Sequence, residues 1–137
     1  MDDRIDVLAT DHAPHTLEEK NNVYTKAPSG GPLVQHAIPA ILEKVKEGVI
    51  SIEKAVEKMS HNPAKLFQIE KRGFIKEGYF ADIVIFDEDE ISDASEYNQP
   101  HQYSKGIKYV WVNGALSIDQ GVQNKERKGI AIRNINN

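Results

Sequence analysis

Asp11, His12 and His15 stand close together in Thr10-Asp11-His12-Ala13-Pro14-His15, directly behind the apolar run Ile5 to Ala9. A carboxylate in such a place can ligate a divalent cation, activate water, or shuttle a proton between an attacking group and a leaving group. An imidazole can donate a hydrogen bond to an anion, and a turn through Ala13-Pro14 would bring Asp11 and His15 over one opening. His12 reads as a structural residue turned away from that opening. The plain alternative for Asp11 is a loop cap without chemistry.

The elements that must position these side chains are legible in outline. Residues 5 to 11 predict a buried strand, and in parallel α/β folds ligands gather at the C-terminal ends of strands. Pro14 and the polar residues 16 to 26 predict a loop over that strand end. In Lys26-Ala27-Pro28-Ser29-Gly30-Gly31-Pro32, two glycines between prolines permit positive φ and close approach of backbone to a ligand, or a plain turn into the next helix. That helix begins at Leu33 with Ile38, Ile41, Leu42 and Val45 on one face and ends at Gly48, and Pro39 is acceptable only near its start. Ser51 offers an N-cap to a second helix with Ile52, Val56 and Met59 inward, and Asn62-Pro63 repeats the device as cap plus first-turn proline.

After Gly73 the period becomes that of strands. Ile83 to Phe86 and Tyr109 to Val112 are apolar runs, and Asn113-Gly114 is a strong hairpin signal returning through Ala115 to Asp119. Gly129 to Arg133 predicts a last edge strand, and Asp87 to Glu96 reads as a solvated acidic loop. Asp82 reads as a turn-capping carboxylate, and His36, His61 and His101 as surface or hydrogen-bonded histidines. The shift from helices to strands near Ile69 to Gly73 divides the chain into residues 1–69 and 70–137.

The 137 residues carry a net charge of −4 with lysines scattered among glutamates, which gives no basic face for nucleic acid. No apolar run approaches the roughly 20 residues that cross a bilayer, and MDDRID has no signal-peptide core, so a cytoplasmic location is expected. Absence of cysteine excludes disulfides, thiolate nucleophiles and Cys-ligated zinc. A metal would rest on His and carboxylates.

TDHAPHTLEEK, the loop APSGG, QHAIPAILEKV, SIEKAVEKMSHNPAKLF and RGFIKEGYFADIVIFD together resemble the end of a dihydroorotase, a cyclic-amide hydrolase of the amidohydrolase superfamily. The resemblance implies an α/β fold: the terminal strand-helix unit of a TIM-type (β/α)8 barrel over residues 1–69, then part of a small β-sandwich over 70–137. It implies that Asp11 ligates a metal and handles the proton of an attacking hydroxide, that His15 contacts the substrate carboxylate, and that the backbone of Ser29 and Gly30 meets the substrate ring. The parent reaction would interconvert dihydroorotate and N-carbamoyl-aspartate in pyrimidine biosynthesis, with zinc as cofactor.

The resemblance also implies an HxH pair, a carboxylated lysine and two further histidines, and the chain has none of them. A catalytic zinc takes three protein ligands, so the chain alone is expected to hold no metal and to be inactive. Strand edges and apolar faces left open predict a homo-oligomer or a complementing chain. Residues 98–121 look more like the tail of N-acyl-D-amino-acid deacylases. The alternatives are a deacylase or hydantoinase-type hydrolase, and a non-catalytic interaction module derived from an amidohydrolase.

Overall fold

In a computed structural model of the chain, residues 3–96 and 98–133 are described. Residues 3–16 form no ladder, which corrects the strand expected over residues 5 to 11. An apolar run becomes a strand only where a neighbour takes its backbone groups, and here they are taken otherwise. The Leu8 N–H donates to the Lys58 carbonyl (3.2 Å), the Lys58 ammonium to the Ile5 carbonyl, and the Asn62 amide to the Asp6 carbonyl (2.8 Å). Lys58, almost wholly buried, also bonds Asp3 Oδ1 at 2.6 Å. Ile5 remains 62% exposed.

The polar stretch after Pro14 contains one helical turn, α1 (Leu17–Lys20). Thr16 and Glu19 close it reciprocally: Thr16 Oγ1 accepts from the Glu19 N–H (3.2 Å) and Glu19 Oε2 from the Thr16 N–H (2.7 Å). A 3-10 turn over Leu33–Gln35 leads into α2 (Ala37–Lys46). Pro39 lies in the first turn of α2, where backbone N–H groups have no helical acceptor, so its missing donor costs nothing. Pro39 and Leu42 are buried against the rest of the chain.

Ser51 caps α3 (Ile52–Val56) by accepting from the Lys54 N–H at 3.3 Å. The helix then continues through a wide π turn, Glu57–His61, into α4 (Asn62–Leu66). Asn62-Pro63 therefore caps no separate helix, contrary to the local pattern. A proline inside a regular helix removes one hydrogen bond and crowds the carbonyl four residues back, and the wide turn just before Pro63 relieves both. Ile52, Val56 and Met59, expected inward, line an open apolar groove of about 540 Å³, whose lining also includes Ile41 of α2 and Ile83 and Phe86 of the sheet. Ala55 and Lys58 are the covered positions.

Four antiparallel strands follow in the order β1 (Ile83–Phe86), β2 (Ile107–Val112), β3 (Ala115–Asp119) and β4 (Val122–Gln123). Asn113 (φ 52°) and Gly114 (φ 80°) make the two-residue turn, with Val112 opposite Ala115. Gly129 to Arg133 form no strand; β4 takes the partner position beside β3 instead. The acidic connection is also more ordered than a solvated loop. Asp87 Oδ1 accepts from the Asp89 and Glu90 N–H groups, and Ile91 is only 1% exposed.

Asp82 caps the hairpin as expected, accepting from the Asn113 N–H at 2.8 Å, and it also pairs with Arg72. Covered apolar side chains among the described residues are few, chiefly Leu42, Ile50, Ala55, Ala64 and Ile91. No helix among them is long and apolar enough to cross a membrane.

Candidate functional site

Asp11 sits at a turn with φ 47° and a solvent-exposed side chain. Such a backbone conformation is uncommon outside glycine but tolerated by Asp. His12 faces the following loop, its Nδ1 accepting from the Val34 N–H at 3.3 Å. His15 stands just before the cap of α1, with Nδ1 3.7 Å from Glu19 Oε2. The Thr16 backbone N–H, then its hydroxyl, hold the Glu19 carboxyl below the usual range, with His15 contributing less.

Loop 28–31 is fastened directly onto this turn. The Ala13 N–H donates to the Gly31 carbonyl at 3.0 Å. Gly30 has φ 90°, and a Cβ there would stand 2.4 Å from that of Ala13, so no other residue fits without moving one of the two segments. Lys20, at the end of α1, donates to the Pro28 carbonyl at 2.7 Å and to the Gly30 carbonyl. The segment holding Asp11 and His15 and the loop holding Ser29 and Gly30 are thus tied together, directly and through Lys20 of α1.

A metal finds too few donors here. Among the described residues, no group of three or more His, Asp or Glu side chains converges to hold one. Asp11 supplies a single carboxylate where a catalytic zinc takes three protein ligands. These residues alone do not fit the cofactor.

The other histidines are accounted for differently. His36 is 4% exposed, with Nδ1 2.8 Å from Asp93 Oδ1 and Nε2 buried without a partner among the described residues. Burial pushes the Asp93 carboxyl up, but hydrogen bonds from Ser95 and His36 outweigh it and hold the group below its usual range. His61 stacks on Phe74 at 4.3 Å and 4°, a contact not anticipated from its place before Asn62-Pro63. His101 is exposed. The bonds of Lys20 and Lys58 and the pairing of Arg72 with Asp82 give no signal in the sequence, because the partners are backbone carbonyls or residues well separated along the chain.

Residues 36–118 match the amidohydrolase family, and the chain belongs to that family. It is 51% identical over 87 residues to the dihydroorotase of Endomicrobium trichonymphae, covering 63% of this chain and 21% of that protein. Against the dihydroorotase of Clostridioides difficile (strain 630) it is 38% identical over 125 residues, covering 84% of this chain and 29% of that one. The chain therefore spans between about a fifth and three tenths of the curated relatives it matches.

Among solved structures it is similar to a D-aminoacylase (TM-score 0.61, 31% identity, 64% of this chain and 19% of that one). It is also similar to a D-hydantoinase (TM-score 0.56, 27% identity, 77% and 26%). One structure of D-aminoacylase concerns its binuclear metal center.

Proposed function

We propose that the chain is the C-terminal segment of a dihydroorotase-like, metal-dependent cyclic-amide hydrolase and is inactive by itself. Residues 1–69 would be the last strand-helix unit of a (β/α)8 barrel and residues 70–137 part of its small β-sandwich. The observation that carries the reading is the joining of the Asp11–His15 turn to loop 28–31 through Ala13, Gly30 and Gly31. A carboxylate, an imidazole and exposed loop backbone on two joined segments support the reading. Identity with dihydroorotases supports the substrate class.

In this reading Asp11 is one metal donor and the proton carrier, His15 holds the substrate carboxylate, and Ser29 and Gly30 meet the ring. The remaining ligands come from outside these residues, so no step of the reaction can be completed on this chain. The open apolar groove and the few covered side chains support a partner that carries the rest of the domain. In sedimentation at micromolar concentration the chain is expected as an oligomer or in complex with that partner, and a monodisperse monomer would count against it.

A second reading, a D-amino-acid deacylase, is favoured by the similarity to D-aminoacylase. The test is to assay an extended, zinc-loaded polypeptide on dihydroorotate and on N-acyl-D-amino acids. Turnover of dihydroorotate, reduced roughly 100-fold or more by Asp11→Asn, supports the first reading. Turnover of N-acyl-D-amino acids alone replaces it with the second. Failure of the extended protein to act on either class favours a non-catalytic interaction module.

A further inference from the structure

We propose that Lys20 is a positioning residue that holds loop 28–31 against the His15 turn, so that the loop backbone can meet a ligand whose carboxylate His15 takes. The inference rests on the site proposed above and adds a residue to it. Lys20 closes α1, whose cap Thr16 directly follows His15, and its backbone N–H bonds the Thr16 carbonyl at 3.0 Å. Its ammonium then crosses to loop 28–31 and takes two carbonyls, Pro28 at 2.7 Å and Gly30. One half-buried cation thereby connects the His15 turn to the loop.

The consequence lies in which backbone groups are left over. The carbonyls of Pro28 and Gly30 are engaged by Lys20, and that of Gly31 by the N–H groups of Ala13 and Leu33. The N–H groups of Ser29, Gly30 and Gly31 donate to no acceptor among the described residues. Three of the four carbonyls of residues 28–31 are thus engaged, and a stretch with more free donors than free acceptors favours a ligand that accepts hydrogen bonds, as a carboxylate does. Gly30, at φ 90° and against Ala13, fixes the path of the loop at that point. Without the ammonium, the Pro28 and Gly30 carbonyls lose their partner and the loop has no reason to hold its donors together.

The test is solution NMR on the full 137-residue chain, comparing the unsubstituted protein with Lys20→Met and Lys20→Arg. Two carboxylate probes are titrated, N-carbamoyl-L-aspartate and N-acetyl-D-methionine. In the unsubstituted protein, the Ser29, Gly30 and Gly31 amide signals should move on addition of a probe. Lys20→Met should weaken that binding about tenfold and speed exchange of the Ala13 amide by a similar factor, as loss of one charged hydrogen-bonded partner implies. Lys20→Arg, which keeps the charge and the donors, should restore both.

A general packing defect would not be rescued by arginine in this way. Unchanged affinity and unchanged Ala13 exchange in Lys20→Met overturn the inference. Loop signals that respond to neither carboxylate also overturn it. Response to N-acetyl-D-methionine alone, with the Lys20 dependence intact, upholds the role of Lys20 and overturns the dihydroorotase reading.

Discussion

His36 and Asp93 show how much a single contact can hold in a chain with so few covered side chains. The imidazole, at the start of α2, reaches a carboxylate in the connection between β1 and β2, and Glu43 Oε1 accepts from the Asp93 N–H at 3.0 Å beside it. His36→Ala should destabilise the chain by about 1–3 kcal/mol, read from urea unfolding, because it leaves a half-buried carboxylate short of a donor. Acid should act at the same place. The folded Asp93 carboxyl lies below its unfolded value, so its stabilisation is full above roughly pH 4 and is lost as pH falls through the folded pKa. Unfolding followed from neutral to acid pH should therefore show a loss of stability below about pH 4 that Asp93→Asn diminishes.

Elements differ in how far local sequence determines them. Ser51 before an apolar period, the spacing of Ile38, Ile41, Leu42 and Val45, and Asn113-Gly114 between two apolar runs all specify structure within a few residues, and each is realised. Ile5 to Ala9 is different: an apolar run states that a segment is to be covered without stating by what, and the backbone here goes to Lys58 and Asn62. Asn62-Pro63 carries a helix-start pattern, but packing prolongs the preceding helix through a wide turn.

The charges of the acidic connection conceal Ile91. That side chain is 1% exposed, and the Gly106 backbone approaches it so closely that a Cβ on Gly106 would lie 2.4 Å from the Ile91 Cα. Ile91→Ala should cost about 2–5 kcal/mol in thermal or urea unfolding, as deletion of a fully buried side chain does. A cost well under 1 kcal/mol would mean that this connection is a solvated loop after all. The candidate site divides similarly: Asp11 and His15 are visible as residue types in a short motif, whereas Lys20 acts through carbonyls that no spacing rule would pair with it.

For the whole molecule, family membership and completeness are separate matters. The match over residues 36–118 establishes the family, while no group of three His, Asp or Glu side chains converges among the described residues, and a catalytic zinc takes three protein ligands. The groove beside β1, lined by Ile41, Ile52, Met59 and Phe86, presents apolar area that water penalises and that a larger domain would cover. The claim that this chain is one wall of an amide-hydrolase site is tested most directly by mixing. The purified 137-residue chain is combined, with zinc, with a polypeptide carrying the remaining portion of a dihydroorotase domain, and hydrolysis of dihydroorotate is followed. Turnover that appears only in the mixture, and that fails with Asp11→Asn, is the predicted result; turnover by the chain alone, or none from a mixture in which the two chains demonstrably bind, would contradict it.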